Sequence, residues 1–514
     1  MKSLNDGVML KDTISVTLLL VFSSILGFVS QIILVSTFGA SVEMDVYFKL
    51  LAVPTVITGI VPMIFSSVLI PHFAKLKSDQ TKLIKFIESL AMFVVIVAFA
   101  FSVFGFLAFF FNMRLFIPKS HAYLEEIGRQ VSFMIWIGSG FSIISSLLAT
   151  ILNYNKQFSK VVWTSILPPF FVIIIVLLFH GELGIRSISL GFCLAFMLQF
   201  IIFIRASKIT LNFSYFDHNH IGEKTYLIKQ SFLVLISLLP FTVLAPIAYY
   251  CASPLEEGSI SYLGYSQSFA GFLSVAVGMG ISIVSFPDLA DTHAAGSGEA
   301  VLLKFEQRLR YVLLIAMFAA GAFITLKVPI ITLFYQRGSF RPESVVKLAS
   351  VLPWYLVAAV FTAALNLLRT LFYSRGEFRF IAILGITTPI LFFGLAWVMK
   401  NNLSFVGIGI ANTITFGALF CASVVLLKKK TVGFLANDFL LFTLSGACIT
   451  LISGFITTLS MKATALIDNQ IFLIGINALM FLTVYFLCAK FVFRLKEVNK
   501  LGLFFAKNKN LSKR

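Results

Sequence analysis

The sequence predicts an all-α polytopic membrane protein of about fourteen transmembrane helices, and three observations predict it. Hydrophobic residues make up 59% of the 514 residues and charged residues only 12%, too little polar surface to cover a soluble globule. Mean hydropathy is +0.97. Apolar runs close to the ~20 residues needed to cross ~30 Å of hydrocarbon recur along the whole chain.

Taken in order, the polar start "MKSLNDGVMLKD" leads into a first run at 14–36 with no compact cleavage region, so this helix is expected to be retained and not removed as a signal peptide. Further runs lie at 50–73, 88–111, 131–152, 162–180 and 183–204, then at 230–252, 263–286, 311–335, 346–373, 380–399 and 404–427. Two more, 435–459 and 471–493, close the hydrophobic part. The connections are short, which leaves no room for a soluble catalytic domain.

The formal net charge of +18 does not call for nucleic acid, because the basic residues are spread between apolar runs and form no basic domain. Cytoplasmic loops retain Lys and Arg, and placing both termini inside puts most of them there. "KLKSDQTKLIK" (75–85), "KKK" (428–430) and the C-terminal tail then lie where anionic lipids can hold them. Cys193, Cys251, Cys421, Cys448 and Cys488 fall in or at the ends of apolar runs without CxxC spacing and read as small core residues.

An internal repeat is visible. "GASVEMDVYFK" with "SSVLIPHFA" (39–74) and "GSISYLGYSQS" with "ISIVSFPDLA" (258–290) share a Gly-Ser turn, an aromatic, a small-residue helix and a proline at the far end. Two such halves are a transporter signature, since parallel repeats share a cavity at their interface.

Polar stripes mark faces that could line it. Ser23, Ser24, Gly27, Ser30 and Gln31 occupy about a third of the first helix's circumference. Gln267, Gly271, Ser274, Gly278, Ser282 and Ser285 follow a narrow line along the eighth, and Thr55, Gly59, Pro62 and Ser66 add to the second. Small residues also serve simply to let helices approach. Glutamine differs, because its amide must find partners in hydrocarbon, so Gln31 and Gln267 are expected to line a wet cavity.

Charges inside the runs are few. Asp45 and Lys49 sit at the outer mouth of the second helix, Lys327 lies deep in the ninth, Arg369 is near the inner end of the tenth with Asn366 one turn away, and Lys490 is near the inner end of the fourteenth. Arg369 and Lys490 are placed where they can snorkel to the interface. Lys327 is not, and an unpaired intramembrane cation suggests an anionic substrate. No GxxxxGK(S/T) motif occurs, and the histidines of "FDHNHIGE" (216–223) fit no zinc spacing. No nucleotide hydrolysis, metal or other cofactor is expected.

"LGF" (26–28), "FGAS" (38–41), Asp45, "FKL" (48–50), "VAVGMGISIVSFP" (275–287), "LKVPIITLFYQRGSF" (326–340) and "FYSRGE" (372–377) together resemble the MurJ/MviN-type lipid flippases of the multidrug/oligosaccharidyl-lipid/polysaccharide exporter superfamily. The likeness runs over roughly residues 14–430, with "LFYQRGSF" and "FGAS" followed by Asp45 its most specific parts.

The resemblance implies two six-helix lobes around a central cavity, an N-lobe at 1–204 and a C-lobe at 230–427. They are joined by a cytoplasmic linker at 205–229 and followed by two helices in 428–493 and a basic tail at 494–514. It implies transport of an undecaprenyl-diphosphate-linked glycan across the bacterial cytoplasmic membrane by alternating access. The implied drive is the membrane potential or a coupling ion, H+ or Na+, and the implied partners include cell-envelope glycan synthesis enzymes.

This chain departs from the family's cavity charges. Peptidoglycan-precursor flippases carry Arg-Asp where it has Ser30-Gln31, Asp-Arg where it has Gln267-Ser268, Arg where Ser24 aligns, and an arginine pair near Thr58 and Gly59. A diphosphate favours clustered cations, and hydroxyls and amides suit sugars better. The expected cargo is therefore an exopolysaccharide, capsule or O-antigen unit, with the peptidoglycan precursor lipid II as the alternative. A drug/cation antiporter or a membrane glycan polymerase fits less well, the first for want of cavity carboxylates and the second for want of a large outer loop. The substrate-site residues expected on this reading are Ser24, Ser30, Gln31, Asp45, Lys49, Gln267, Ser268, Ser274, Lys327, Asn366 and Arg369.

Overall fold

The computed structural model describes residues 2–117, 123–209, 221–274, 298–374, 378–430, 437–464 and 469–492, and among these it contains helices and no strand. In chain order they are α1 (Lys2–Phe38), α2 (Val42–Leu76), α3 (Gln80–Phe111), α4 (Leu124–Tyr154), α5 (Phe158–Trp163), α6 (Leu167–Leu183), α7 (Arg186–Ser207), α8 (Ile221–Thr242) and α9 (Leu244–Ala252). A helix over 259–274 is α10. Then come α11 (Gly298–Thr325), α12 (Lys327–Tyr335), α13 (Pro342–Ser374), α14 (Phe378–Lys430), α15 (Asn437–Ala463) and α16 (Gln470–Leu487).

Among the described residues, twelve stretches are long and apolar enough to cross a membrane. One of them, Ile383–Lys428, has 46 residues and would measure about 69 Å as a single helix, over twice the hydrocarbon thickness. Ser404 divides it with φ 53° and ψ −142°, so it is two crossings, as the runs 380–399 and 404–427 predict. α10 begins the expected eighth crossing, whose remainder lies outside the described residues. Thirteen of the fourteen predicted crossings are thus found among the described residues and the eighth in part, in a multi-pass membrane protein.

Boundaries differ from expectation where proline intervenes. The run 230–252 breaks at Val243, three residues after Pro240 removes an N–H donor from α8, and α9 restarts with Pro246 in its first turn. The run 311–335 breaks at Leu326 (φ −95°, ψ 14°), and α12 restarts with Pro329 in its first turn. Lys327 is therefore the first residue of a short helix and does not lie deep in a long one. The first helix also starts earlier than predicted, at Lys2.

The chain divides into two compact units, Met1–Ser261 with Gly338–Phe340 and Gly385–Pro389, and Tyr262–Arg337 with Arg341–Leu384 and Ile390–Arg514. In the first, α4 packs against α2, α3 and α7, and 78% of its apolar window is buried, against 17–33% for the other crossings of that unit. Its buried Ser139, Ser146 and Thr150 return their hydroxyls to carbonyls four residues back at 2.8–2.9 Å, which lets small polar residues sit in an apolar core at close helix spacing. In the second unit α13 plays the same part, with 67% of its window buried and α11 and α12 against it. α4 and α13 are the fourth and tenth predicted crossings, a spacing of six that matches the internal repeat.

Elsewhere large apolar side chains face outward, among them Phe99, Phe104 and Phe111 at 71–77% exposure, as lipid-facing helices require. Between α2 and α3 the polar turn is set by Asp79, whose carboxylate caps α3 by accepting from the Lys82 N–H at 3.0 Å. That hydrogen bond holds the Asp79 carboxyl below the usual carboxylate range.

Candidate functional site

The candidate site lies where α1 passes into α2. Gly39 ends the first helix with φ +61°, and Ser41 caps the second by accepting from the Met44 N–H at 3.3 Å. One turn into α2 is Asp45, only 8% exposed. Its carboxylate accepts from the Gly258 N–H at 2.8 Å, and from the N–H and hydroxyl of Ser261 at 2.7 and 2.5 Å. These donors stand at the N-terminus of α10, where unpaired N–H groups and the helix dipole favour a negative charge. The carboxylate is thus fully engaged by neutral donors 213 and 216 residues away.

A second tie sits a few residues earlier. The Ser339 N–H donates to the Ser36 carbonyl at 2.8 Å, and its hydroxyl donates to the Thr37 carbonyl at 2.8 Å. The backbones approach so closely that only glycine fits on either side. A Cβ on Gly39 would stand 2.7 Å from the Ser339 carbonyl oxygen, and one on Gly338 (φ +54°) would stand 2.3 Å from that of Ser36. "FGAS" and the end of "LFYQRGSF" therefore form one clamp. Lys49, one turn after Asp45, donates to the Phe116 carbonyl at 3.2 Å, so the segment after α3 is tied to the same region.

The other predicted residues divide between the units. On α1, Ser30 is buried, and the side-chain amide nitrogen of Gln31 is buried without a hydrogen-bond partner. Ser24 spends its hydroxyl on the Leu20 carbonyl at 2.8 Å. Ser23 instead reaches the Ser165 carbonyl at 2.9 Å.

In the second unit, Gln267 and Ser268 are exposed on α10, and Ser268 and Ser274 return their hydroxyls to Gly264 and Ala270. Arg369 donates to the Asn366 side-chain oxygen at 3.4 Å on α13, and half-buried Lys327 opens α12. Among the predicted residues the structure brings together Asn366 with Arg369 by a hydrogen bond and Asp45 with Lys49 by charge. Gly278, Ser282, Ser285 and residues 216–220 of the histidine-bearing segment lie outside the described residues. No group of three or more His, Cys, Asp or Glu that could hold a metal occurs among the described residues.

Gly258, Ser261, Ser36, Thr37 and Ser339 were not among the predicted site residues. Their segments stand out as repeat or motif, but pairing across 213–303 positions leaves no trace in one sequence.

The family model for "Lipid II flippase MurJ" matches residues 34–476, a span that includes the clamp, Asp45 and all of its partners. The chain belongs to the MurJ lipid II flippase family. A relative in Borreliella burgdorferi named "Probable lipid II flippase MurJ" is 25% identical over 371 residues, covering 68% of this chain and 70% of the relative. A MurJ structure in an inward closed conformation shares the fold, with a TM-score of 0.77 at 20% identity, covering 94% of this chain and 99% of the other. An inward-facing multidrug resistance transporter of the MATE family is more distant, with a TM-score of 0.56 at 14% identity, covering 80% and 96%.

Proposed function

We propose that this MurJ-family chain carries lipid II from the inner to the outer leaflet of the bacterial cytoplasmic membrane. The observation that carries the reading is the family match over 34–476, which takes in every candidate site residue except Ser24 and Ser30 at its edge and Gln31 beside them. It favours lipid II, the alternative weighed above, over the exopolysaccharide unit first expected from the missing arginines. The transported molecule is then a polyprenyl diphosphate bearing a glycan, and both chain termini are cytoplasmic by the distribution of Lys and Arg.

On this reading Asp45 with Gly258 and Ser261, and Gly39 with Gly338 and Ser339, hold the outer end of the transport path shut while cargo loads from inside. Releasing them opens it, and no covalent chemistry is required of the protein. Without the family's cavity arginines, Lys49, Lys327 and Arg369 remain as cations for the diphosphate. The amide nitrogen of Gln31, which has no partner, supplies a donor for a sugar or phosphate oxygen. Alternating access is driven by the membrane potential or a H+ or Na+ gradient.

The test is complementation of a bacterial strain depleted of its own lipid II flippase, with membrane insertion checked and Asp45→Ala and Lys327→Ala run alongside. Rescue by the natural chain, lost in the variants, supports lipid II as cargo. A well-inserted chain that fails to rescue returns the exopolysaccharide unit to the front.

A further inference from the structure

The two halves of α14 meet at a turn that holds a cation with no anion. Lys400 is 6% exposed and belongs to the segment Ile383–Lys428. Seventeen residues of helix separate it from Ile383, about 26 Å, so if Ile383 enters the hydrocarbon at one face, Lys400 reaches the other face, at headgroup level. Four residues later Ser404 leaves helical geometry, and Asn401, Asn402 and Leu403 between them are exposed.

The ammonium of Lys400 stands 3.3 Å from the centroid of the Trp397 ring, one turn back on the same helix. Among the described residues no carboxylate forms an ion pair with it and no oxygen accepts a hydrogen bond from it. A ring face attracts a cation through its quadrupole, and although most of the Lys400 side chain is buried, its nitrogen is not among the buried polar atoms that lack a partner and so stays reachable from outside. The ammonium keeps three donor directions that a single ring cannot use. Trp397 is itself 45% exposed, so the pair lies at the surface beside the turn, and tryptophan at that depth is an interfacial residue.

We propose that Lys400 and Trp397 form a binding notch for the phosphate of an anionic phospholipid headgroup at the membrane surface. The phosphate supplies the acceptor oxygens that the ammonium lacks, the exposed side amides of Asn401 and Asn402 border the same turn, and the apolar outer face of α14, with Ile390 at 68% and Val398 at 66% exposure, receives the acyl chains. A lipid fits better than a free anion because the notch adjoins that apolar face. The lipid is a resident of the surface and is independent of the cargo proposed above.

Native mass spectrometry of the full chain in detergent, titrated with dioleoyl phosphatidylglycerol, tests this. Dioleoylglycerol, which lacks the phosphate, is the control, and inorganic phosphate is the competitor. The natural chain is expected to hold one phosphatidylglycerol at least five-fold more tightly than Lys400→Gln does, with Lys400→Arg restoring the difference and dioleoylglycerol showing none. Trp397→Leu, which removes the ring and leaves the ammonium, gives a second and smaller weakening and serves as the readout should Lys400→Gln fail to fold. Equal phosphatidylglycerol binding by the natural chain and both variants overturns the proposal. Complete displacement of the lipid by 10 mM inorganic phosphate assigns the notch to a free anion and overturns the lipid as its occupant.

Discussion

Asp45 accepts two hydrogen bonds from a single residue, Ser261, whose N–H and hydroxyl both reach one carboxylate oxygen at 2.7 and 2.5 Å. The other oxygen is taken by the Gly258 N–H at 2.8 Å. The start of α2 and the start of α10 are therefore held by one buried anion, and the bond set is uneven. Removing the serine hydroxyl leaves two backbone donors in place, whereas removing the carboxylate strands all three donors in a buried site.

That asymmetry makes a graded prediction. Hydrogen bonds to a charged group contribute about 1.5–3 kcal/mol, and about 1.4 kcal/mol is a factor of ten. Asp45→Ala, which loses all three bonds, is expected to lower flipping in proteoliposomes at least about a hundred-fold, and Ser261→Ala, which loses one, only about ten-fold. A cysteine placed at Ser259, which is fully buried, should react faster with a membrane-impermeant maleimide in the Asp45→Ala background. Equal effects of the two substitutions would mean that the backbone donors contribute nothing.

The clamp between Gly338 and Ser36 is tested by a pair of alanine substitutions that differ in kind. Gly338→Ala forces a Cβ to 2.3 Å from the Ser36 carbonyl oxygen at φ +54°, so the turn must rearrange at a cost above about 2 kcal/mol. Ser339→Ala loses the hydroxyl bond to Thr37 and keeps the N–H bond to Ser36, a cost of about 1 kcal/mol. Thermal unfolding in detergent should show the larger drop in midpoint for Gly338→Ala. The reverse order would place the stability of the turn in the hydroxyl and not in the close approach.

Asp79 gives a pH dependence of definite sign. Its carboxyl is held below the usual range mainly by the Lys82 N–H, so the folded state binds the proton less well than the unfolded chain. The stabilisation is present above the unfolded value, about 3.9, and is lost as pH falls through the folded one. Asp79→Asn should therefore flatten the acid limb of a plot of unfolding midpoint against pH, below about pH 4, by lowering the midpoint in the neutral range, where the charged cap contributes, and not at the acid end. An acid limb of unchanged steepness would show that the cap does not titrate with folding.

How much of this was legible beforehand depends on the range of the interaction. Crossings follow from apolar length, which is local, and even the division of α14 near Ser404 was visible as two runs. The breaks at Val243 and Leu326 are not legible, because proline inside an apolar run signals either a tolerated kink or a restart, and tertiary packing decides between them. The sequence marks Asp45 as a charge at the edge of a crossing and places it with Lys49, four residues on. The structure gives it Gly258 and Ser261 as its hydrogen-bond donors instead. Substrate chemistry is the least legible, since the absence of arginine at Ser24, Ser30 and Ser268 argues for a sugar-binding cavity while residues 34–476 match the lipid II flippase family.

In the second unit, the attachment of α16 to α11 turns on Tyr485. Its side chain is fully buried, its hydroxyl donates to the Leu314 carbonyl at 3.0 Å, and its ring meets Phe318 edge-on at 5.1 Å. The hydroxyl must be paired because no water reaches it in hydrocarbon, and the carbonyl of Leu314 can accept a second bond without leaving its helix. Tyr485→Phe keeps the ring and removes one bond, so it should cost about 1 kcal/mol. Tyr485→Ala also empties the space between α11 and α16 and should cost about 3–5 kcal/mol. Measured as unfolding midpoints, a near-equal loss in both variants would locate the docking in the hydrogen bond. The expected larger loss in Tyr485→Ala locates it in ring packing, consistent with the absence of a hydrophobic driving force between helices surrounded by lipid.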